Sequence, residues 1–225
     1  MIVVTGASRG LGRAICERLL ARDFEVIGVA RVVENLPFRA LRCDVSSYDA
    51  VKALVQGLKR DGAVITGLIN AAGTASMNLA VTTPAAVTQR VINVNLLGTI
   101  YCCQLVAPIM ARHKQGSIIN FSTIAVPLGL KGESVYVASK AGVEGFSRSF
   151  AREMADFNVN VNCIAPGPID TSLLKGITRA QIAKIVEQQI IPRQFTPDAV
   201  SDLVEVLLDP RSRALSGQVL HVGGA

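Results

Sequence analysis

The segment Ile2–Gly12, IVVTGASRGLG, decides the fold of this chain, because it joins a buried strand to a helix through a glycine-rich turn. A β-branched run, Ile2–Val4, comes first, and three glycines follow it at Gly6, Gly10 and Gly12. Such glycines permit a tight turn and let backbone amides approach a pyrophosphate at the positive end of a helix. The spacing G-x3-G-x-G differs from the more general G-x-G-x-x-G pattern. What favours a dinucleotide site is therefore the position of the turn, at the first strand of a strand–helix–strand unit.

The rest of the chain alternates between short apolar runs and segments with helical periodicity. The strand-like runs are Ile2–Thr5, Glu25–Ala30, Arg39–Cys43, Val64–Asn70, Ser117–Phe121, Val159–Ile164 and Gln218–Val222. This alternation predicts an α/β fold of the Rossmann type, a doubly wound sheet of about seven mostly parallel strands with helices on both faces. No linker or repeat interrupts the pattern, so we expect a single domain over residues 1–225.

Three apolar stripes define the clearest helices. They are Leu11, Ala14, Ile15 and Leu19; Val51, Leu54, Val55 and Leu58; and Val200, Leu203, Val204, Leu207 and Leu208. Thr196 is the expected N-cap of the last helix, with Pro197 as its first residue.

The connection after the second strand departs from this pattern. Only about a dozen residues separate Arg31 from Asp44, and Asn35-Leu36-Pro37 interrupts any helix there, because proline fixes its own φ and disfavours helix in the residue before it. We expect a loop or one short turn, so the helix after strand 2 is shortened or missing.

Composition limits the classes of function. The net charge is +6, but aromatic residues make up 4% of the chain and the basic residues are scattered, which favours anionic small molecules or an acidic partner over nucleic acid. No charge-free apolar run approaches the ~20 residues of a membrane helix, and the apolar N-terminus is typical of a strand, not of a signal peptide. Five cysteines lie in apolar segments without metal-ligand spacing, which indicates reduced, buried thiols in a cytoplasmic protein.

The end of the second strand, VIGVAR, carries Arg31 where a cofactor without a 2′-phosphate typically meets Asp or Glu. A guanidinium pairs with a 2′-phosphate in a bidentate manner, whereas a carboxylate repels it. Arg9, inside the glycine turn, is close enough in sequence to the phosphate site to assist. We predict NADP(H) as cofactor.

The segment YVASK places Tyr136 and Lys140 one helical turn apart, on the same face of a helix. A free tyrosine has a pKa near ~10 and transfers protons poorly at neutral pH. A neighbouring ammonium group favours the phenolate, so this spacing predicts a lowered pKa for Tyr136 and a role in proton transfer.

Jointly, these motifs make the chain resemble the short-chain dehydrogenase/reductase family, close to its 3-oxoacyl-[acyl-carrier-protein] reductase group. The resemblance spans essentially the full length. Its motifs, in family order and spacing, are TGASRGLG from Thr5, Cys43-Asp44-Val45, Asn70-Ala71-Ala72-Gly73, NVNLLGT around Asn95, Tyr136-x3-Lys140, Pro166-Gly167 and SGQVLHVGG from Ser216.

The resemblance implies roles for individual residues. The cofactor phosphates and ribose would meet the glycine turn and Arg31, and Asp44 and Val45 would contact the adenine. The cofactor-binding residues expected on this basis are Gly6, Ser8, Arg9, Gly10, Leu11, Gly12, Arg31, Asp44, Val45, Asn70, Ala71, Ala72, Gly73, Tyr136, Lys140, Pro166, Gly167, Ile169 and Thr171. Asn95 would help hold a water in a proton relay, and Tyr136 would protonate the substrate oxygen during reduction.

One position departs from the family pattern. The family has a serine thirteen residues before the tyrosine, and this chain has Thr123 there, preceded by Ser122. Threonine keeps the donor and acceptor but is stiffer and bulkier. We expect Thr123 to be the functional hydroxyl, with Ser122 as the alternative and a lost hydroxyl function as the third possibility.

In this family the segment after Thr171, here Ser172–Gln194, covers the substrate. Its apolar residues suit an acyl or other lipophilic substrate, and its basic residues suit phosphopantetheine or an acidic carrier protein; an ordinary amphipathic lid is an equal alternative. The apolar residues are Leu173, Leu174, Ile177, Ile182, Ile185, Ile190 and Ile191, and the basic ones are Lys175, Arg179, Lys184 and Arg193.

The leading hypothesis is an NADPH-dependent reduction of a 3-oxoacyl thioester in fatty acid biosynthesis, by a cytoplasmic homotetramer or dimer. An alcohol or sugar-type dehydrogenase with the same machinery, and a non-catalytic nucleotide-sensing subunit, are the alternatives. His113 and His221 lack ligand spacing, so we expect no metal site.

Overall fold

A seven-stranded parallel sheet forms the centre of the computed structural model, which describes residues 1–171, 174 and 178–225. The strands in this part of the chain are β1 (Ile2–Thr5), β2 (Val26–Ala30), β3 (Ala40–Arg42), β4 (Gly67–Asn70), β5 (Gly116–Phe121), β6 (Val159–Pro166) and β7 (Val219–Val222). Their spatial order is β3-β2-β1-β4-β5-β6-β7, and every pair is parallel. This confirms the predicted doubly wound sheet, whose order reverses at β1.

Helices connect the strands. They are α1 (Gly10–Leu20), α2 (Tyr48–Arg60), α3 (Ala85–Ile92), α4 (Gly98–His113), α5 (Ala125–Leu128), α6 (Ser134–Met154), α7 (Arg179–Val186) and α8 (Pro197–Leu208). A π-helical turn, Asn93–Leu97, joins α3 to α4, and short 3-10 turns lie at Ala80–Thr82, Ala155–Phe157 and Pro210–Ser212.

Both faces of the sheet are buried. In β1, Val3 belongs to one apolar cluster and Val4 to the other, because neighbouring residues of a strand point to opposite faces. The first cluster contains the apolar sides of α2, α4 and α6, and the second contains those of α1 and α8. Strands of this kind read as continuous apolar runs because neither side faces water.

The connection from β2 to β3 contains no helix, as the sequence predicts. The ring of Phe38 folds back over β2, where a Cβ built on Gly28 would lie only 2.6 Å from it. Arg42 forms an ion pair with Glu34 across the same loop. Without a crossover helix, the cleft beside the end of β2 is bordered by loop.

The helical stretch Ala85–His113 has the length and composition of a membrane-crossing helix, with a mean hydropathy of 1.6. Its apolarity has an internal explanation, because α4 contributes Cys103, Val106 and Met110 to the core beneath the sheet.

Helix α8 begins as predicted, with Thr196 at the N-cap position and Pro197 as the first helical residue, although the Thr196 side chain makes no capping hydrogen bond. On its outer side α8 is tied to α1 by Arg18, which donates to Glu205 at 2.6 Å and to Asp202 at 2.5 Å.

Candidate functional site

The glycine turn lies between β1 and α1, beside the loop that follows β4. Gly6 and Gly10 have φ values of +72° and +56°, which side chains rarely tolerate. A Cβ on Gly12 would lie 2.5 Å from the carbonyl oxygen of Gly6, and one on Gly6 would lie 2.8 Å from that of Ala71. Backbone therefore fills the space that side chains would need.

The N-terminus of α1 suits an anion. Arg9, the N-cap residue, makes no side-chain capping hydrogen bond, and the first turn of the helix contains no acidic residue.

A cleft of about 390 Å³ runs from this turn along the carboxyl ends of the strands. Sixteen of the expected cofactor residues line it: Gly6, Ser8, Arg9, Gly10, Leu11, Gly12, Arg31, Asp44, Val45, Ala71, Ala72, Gly73, Tyr136, Lys140, Pro166 and Thr171. The cleft lies where the strand order reverses, which is where open α/β sheets bind their ligands. The glycine cradle and the size of the cleft fit a dinucleotide.

Three expected cofactor residues lie outside this lining. Gly167 and Ile169 border an adjoining pocket. Asn70 is buried below the cleft, where its Nδ2 donates to Oδ1 of Asn120 at 2.8 Å and ties β4 to β5. Asn70 therefore supports the central strands from beneath.

Asp44 marks the adenine end expected from the resemblance. Burial raises the pKa of its carboxyl group, but two hydrogen bonds from Ser46 and the nearby charge of Arg31 outweigh that effect, so the pKa lies below its ordinary value. Arg31 is exposed at the end of β2 and lines the same part of the cleft.

Tyr136 and Lys140 both lie on α6 and are both buried, with Tyr136 8% exposed. The Nζ atom of Lys140 donates to the carbonyl oxygen of Phe121 at 2.8 Å. Burial lowers the pKa of Lys140 to about 8. The helix thus points an ammonium group and a phenol into the same end of the cleft.

The pKa of Tyr136 is raised, which is opposite to the direction predicted from its spacing to Lys140. Burial raises this pKa most, the nearby carboxyl group of Glu133 raises it further, and a hydrogen bond with Thr123 lowers it in part. Burial dominates because the phenolate would be poorly solvated at this position. In this structure Tyr136 is a neutral phenol that can donate a proton.

Asn95 is fully buried in the π-helical turn and lines neither cavity. Its Nδ2 donates to Oγ of Ser139 at 3.0 Å and to the carbonyl oxygen of Thr74 at 2.9 Å, while its Oδ1 accepts from the Thr74 amide at 2.8 Å. Ser139 in turn donates to the carbonyl oxygen of Tyr136 at 2.6 Å. The Asn95 side chain therefore fastens the cleft loop to the helix that bears Tyr136.

The two candidate hydroxyl groups have different surroundings. Ser122 donates to Oε1 of the buried Glu144 at 2.6 Å. Thr123 accepts from the amide of Ala125 at 3.2 Å and is hydrogen-bonded to Tyr136. Thr123 is thus the hydroxyl associated with the phenol.

An apolar pocket of about 120 Å³ adjoins the cleft, and Tyr136 lines both cavities. Of the apolar residues expected to cover the substrate, Leu174 and Ile185 border this pocket, Ile182 does not, and Ile190 is 77% exposed. The expected residues Ser172, Leu173, Lys175 and Ile177 lie outside the described residues.

Sequence reasoning missed several contributors. Arg90 and Val94 line the cofactor cleft from the α3 side, and Glu133 lines the apolar pocket just before α6. These residues reach the site through the packing of elements that are far apart in the sequence, so no local motif marks them.

No cluster of three or more His, Cys, Asp or Glu side chains suited to a metal ion occurs among the residues described. His113 ends α4 at the surface, and His221 lies in β7. All five cysteines are buried and free. Burial raises the thiol pKa of Cys16, Cys103 and Cys163 to about 12, so these groups are poor nucleophiles.

Comparison with known proteins agrees with this geometry. Residues 6–224 match a family model described as enoyl-(acyl carrier protein) reductase, a short-chain dehydrogenase/reductase family. The chain is 33% identical to carbonyl reductase family member 4 of Xenopus tropicalis, over 98% of this chain and 95% of that protein. It is also 33% identical to the 3-oxoacyl-[acyl-carrier-protein] reductase FabG of Vibrio harveyi, over 99% and 95% of the two chains.

Solved structures show the same fold. The aldohexose dehydrogenase of Thermoplasma acidophilum, in ligand-free form, matches with a TM-score of 0.90 and 30% identity, covering 99% of this chain and 92% of that one. A 4-hydroxyisoleucine dehydrogenase complexed with NADH matches with a TM-score of 0.91 and 25% identity, covering 99% and 97%.

Proposed function

Because this chain belongs to the short-chain dehydrogenase/reductase family of nicotinamide-dependent oxidoreductases, we propose that it reduces the keto group of a 3-oxoacyl thioester with NADPH. The observation that carries this proposal is the position of Tyr136, which lines both the cofactor cleft and the apolar pocket. A proton donor at this junction lies between the space for a dinucleotide and the space for an apolar substrate.

The preference for NADPH rests on Arg31. Its guanidinium lies at the end of β2, in the wall of the cleft, where a carboxylate would favour a free ribose hydroxyl. Arg9 lies within the glycine turn and lines the same cleft, and no acidic residue occupies the first turn of α1. Two cations here favour the additional phosphate group.

The residues that would hold the cofactor are the glycine turn, Arg31, Asp44, Lys140 and Pro166. When bound there, the nicotinamide would supply the hydride that reduces the carbonyl carbon. Tyr136 donates its phenolic proton to the carbonyl oxygen, and Thr123 donates a hydrogen bond to the same oxygen. The raised pKa keeps Tyr136 protonated at neutral pH but also makes the phenol a weaker acid, so proton transfer requires a group that stabilises the tyrosinate.

Lys140 supplies the positive charge in this scheme. With a pKa of about 8 it is mostly charged at pH 7, so it stabilises the tyrosinate left by proton transfer. Its hydrogen bond to Phe121 fixes its position at the end of β5. Asn95 and Ser139 hold the backbone of the Tyr136 turn.

A 3-oxoacyl thioester suits the pocket, which is lined mostly by apolar groups such as Leu130, Ile169 and Leu174. The similarity to 3-oxoacyl-[acyl-carrier-protein] reductases supports the same choice. The proposal includes a role in fatty acid biosynthesis and assembly as a homotetramer or dimer. It also includes a cytoplasmic location, which is supported by the buried free thiols because such thiols suit a reducing compartment.

A second candidate is an alcohol or sugar-type dehydrogenase, favoured by the structural similarity to aldohexose dehydrogenase. The test is turnover of purified protein on an acetoacetyl thioester, simple ketones and polyols, each with NADPH and NADH. We expect the thioester with NADPH to give the highest kcat/KM. Turnover on polyols with NAD alone would contradict the proposal, and absence of all turnover would favour a nucleotide-sensing subunit.

A further inference from the structure

Gln189 is a buried polar side chain that the reaction scheme above does not use. It follows α7 and is 5% exposed, whereas its neighbour Gln188 is exposed to solvent. Its Nε2 donates to the carbonyl oxygens of Arg193 at 2.8 Å and of Ile191 at 3.3 Å. Its Oε1 is buried and has no hydrogen-bond partner among the residues that the structure describes. Because a buried acceptor without a partner is costly, a role in folding alone does not explain this glutamine.

The unpaired oxygen of Gln189 lies against two glycines. A Cβ built on Gly167 would overlap this oxygen, and one built on Gly223 would lie 2.9 Å from it. Gly167 borders the apolar pocket, and the preceding Pro166 borders both cavities, whereas Gln189 lines neither. The carboxamide therefore fills the space that a side chain on Gly167 would need, and it contacts the loop after β6 from behind.

The segment 189–195 is fastened to the ends of two strands. The backbone amide of Ile191 donates to the carbonyl oxygen of Gly223, which follows β7, at 2.8 Å. Phe195 forms a single parallel β-bridge with Ile169, which lies in the loop after β6. The buried carboxamide thus lies where the segment after α7, the loop after β6 and the end of β7 meet.

The position of the loop after β6 matters for the reaction. Pro166 and Thr171 line the cofactor cleft at the end that also contains Tyr136, and Gly167 and Ile169 line the pocket beside it. The nicotinamide is expected at this end, because hydride and proton reach the same carbonyl group. A misplacement of about 1 Å at a reacting group can cost about a hundredfold in rate, so a small shift of this loop would be felt.

We infer that Gln189 is a positioning residue for the cofactor: its carboxamide, packed against Gly167, holds the loop after β6 where that loop binds the nicotinamide. The side chain acts through the loop and does not touch the cofactor. An apolar side chain of similar length would avoid the unpaired acceptor, but it could not bond the turn at 191–193. The inference goes beyond the proposed function, because it does not depend on which carbonyl compound is reduced.

The test measures binding by isothermal titration calorimetry for two pairs of ligands. NADPH is compared with 2′-phospho-ADP-ribose, and NADH with ADP-ribose, so that the members of each pair differ by the nicotinamide. Gln189→Met removes the carboxamide at similar length. Gly167→Ala introduces the Cβ that would displace it, and the double variant combines both changes. Gln188→Met, at the exposed neighbouring glutamine, is the matched control, and thermal unfolding verifies that each variant is folded.

We expect Gln189→Met and Gly167→Ala each to weaken binding of the preferred dinucleotide by about tenfold, the worth of one good hydrogen bond to the nicotinamide carboxamide. Binding of the matching ligand without nicotinamide should stay within about twofold of the wild type, because the glycine turn and Arg31 are unchanged. The double variant should bind no more weakly than the weaker single variant, since both changes disrupt the same contact. Gln188→Met should match the wild type for all four ligands.

Equal weakening of the dinucleotide and of its partner without nicotinamide would overturn the inference, because the change would then loosen the whole cleft. Wild-type dinucleotide affinity in Gln189→Met would overturn it as well, and so would additive losses in the double variant. A protein that shows the expected binding but reduces no 3-oxoacyl thioester would instead contradict the proposed function and support the role of Gln189.

Discussion

The hydroxyl of Ser122, a residue that lines both cavities, donates a 2.6 Å hydrogen bond to Oε1 of Glu144 and so points toward α6. The other carboxylate oxygen of Glu144 accepts from Arg148 at 3.1 Å. Ser122 and Glu144 therefore form part of a hydrogen-bonded network of polar side chains that joins the end of β5 to α6. Thr123, the next residue, lines the apolar pocket beside Tyr136, and its hydroxyl is the one available to the substrate.

The first prediction follows from this division. Thr123→Val keeps the shape of the side chain but removes the hydroxyl, and we expect kcat/KM to fall about tenfold to a thousandfold, since one oxyanion donor is lost. Thr123→Ser should recover most of the activity. Ser122→Ala should lower the midpoint of unfolding, because Glu144 loses a buried partner, while kcat/KM changes less than for Thr123→Val. If Ser122→Ala instead lowered kcat/KM more than Thr123→Val, Ser122 would be identified as the hydroxyl that contacts the substrate.

Arg31 provides the second prediction. Arg31→Ala should weaken NADPH binding by tenfold or more and leave NADH binding nearly unchanged, because a charge-assisted bidentate contact to the 2′-phosphate is lost. Fluorescence titration with both cofactors measures the change. Arg39→Ala, at an exposed arginine away from the cleft, is the control. Similar NADPH and NADH affinities in the wild type would show that the end of β2 does not discriminate between them.

The glycine turn gives a third prediction. Gly12→Ala should cost about 1–3 kcal/mol of stability and abolish cofactor binding, because its Cβ would lie 2.5 Å from the Gly6 carbonyl oxygen and backbone must move to admit it. Gly57→Ala in α2 is the matched control. No atom lies within 4 Å of a Cβ built there, so alanine should stabilise the helix by about 0.5–1 kcal/mol. Urea unfolding measures the change in stability of each variant. A Gly12→Ala protein as stable as the wild type would contradict the tight packing of this turn.

The fourth prediction concerns pH and Glu133. Its folded-state pKa is raised by burial, so its favourable contribution to stability is present below pH 4.5, its ordinary pKa, and is lost as pH rises toward the folded-state value. Glu133→Gln should therefore unfold at a higher temperature than the wild type at pH 7, and the difference should shrink toward pH 4. A difference in Tm that is constant from pH 4 to pH 8 would contradict this.

Much of the fold could be predicted from sequence, because each strand is a short apolar run and α1, α2 and α8 carry clear stripes. Pro37 marks the missing crossover helix for a local reason, since proline constrains its own residue and the one before it. Tyr136, Lys140 and the glycine turn are recognisable because their chemistry depends on fixed local spacing.

Other parts of the site could not be predicted because they depend on tertiary packing. Neither Glu133 nor Glu144 differs in sequence pattern from an exposed glutamate, yet both are buried once α6 packs on the sheet. The pKa of Tyr136 is set by this burial more than by Lys140, so helical spacing alone predicts the wrong direction. Arg90 reaches the cleft through the placement of α3, which no motif specifies.

The most direct test of the proposal that Tyr136 is the proton donor is Tyr136→Phe, which removes one oxygen and keeps the ring in its buried position. NADPH affinity, measured by fluorescence titration, should stay within a few fold of the wild type, while kcat/KM on an acetoacetyl thioester should fall by about 10²–10⁴-fold, the usual contribution of a general acid. A Tyr136→Phe protein that reduces the thioester at the wild-type rate would contradict the mechanism.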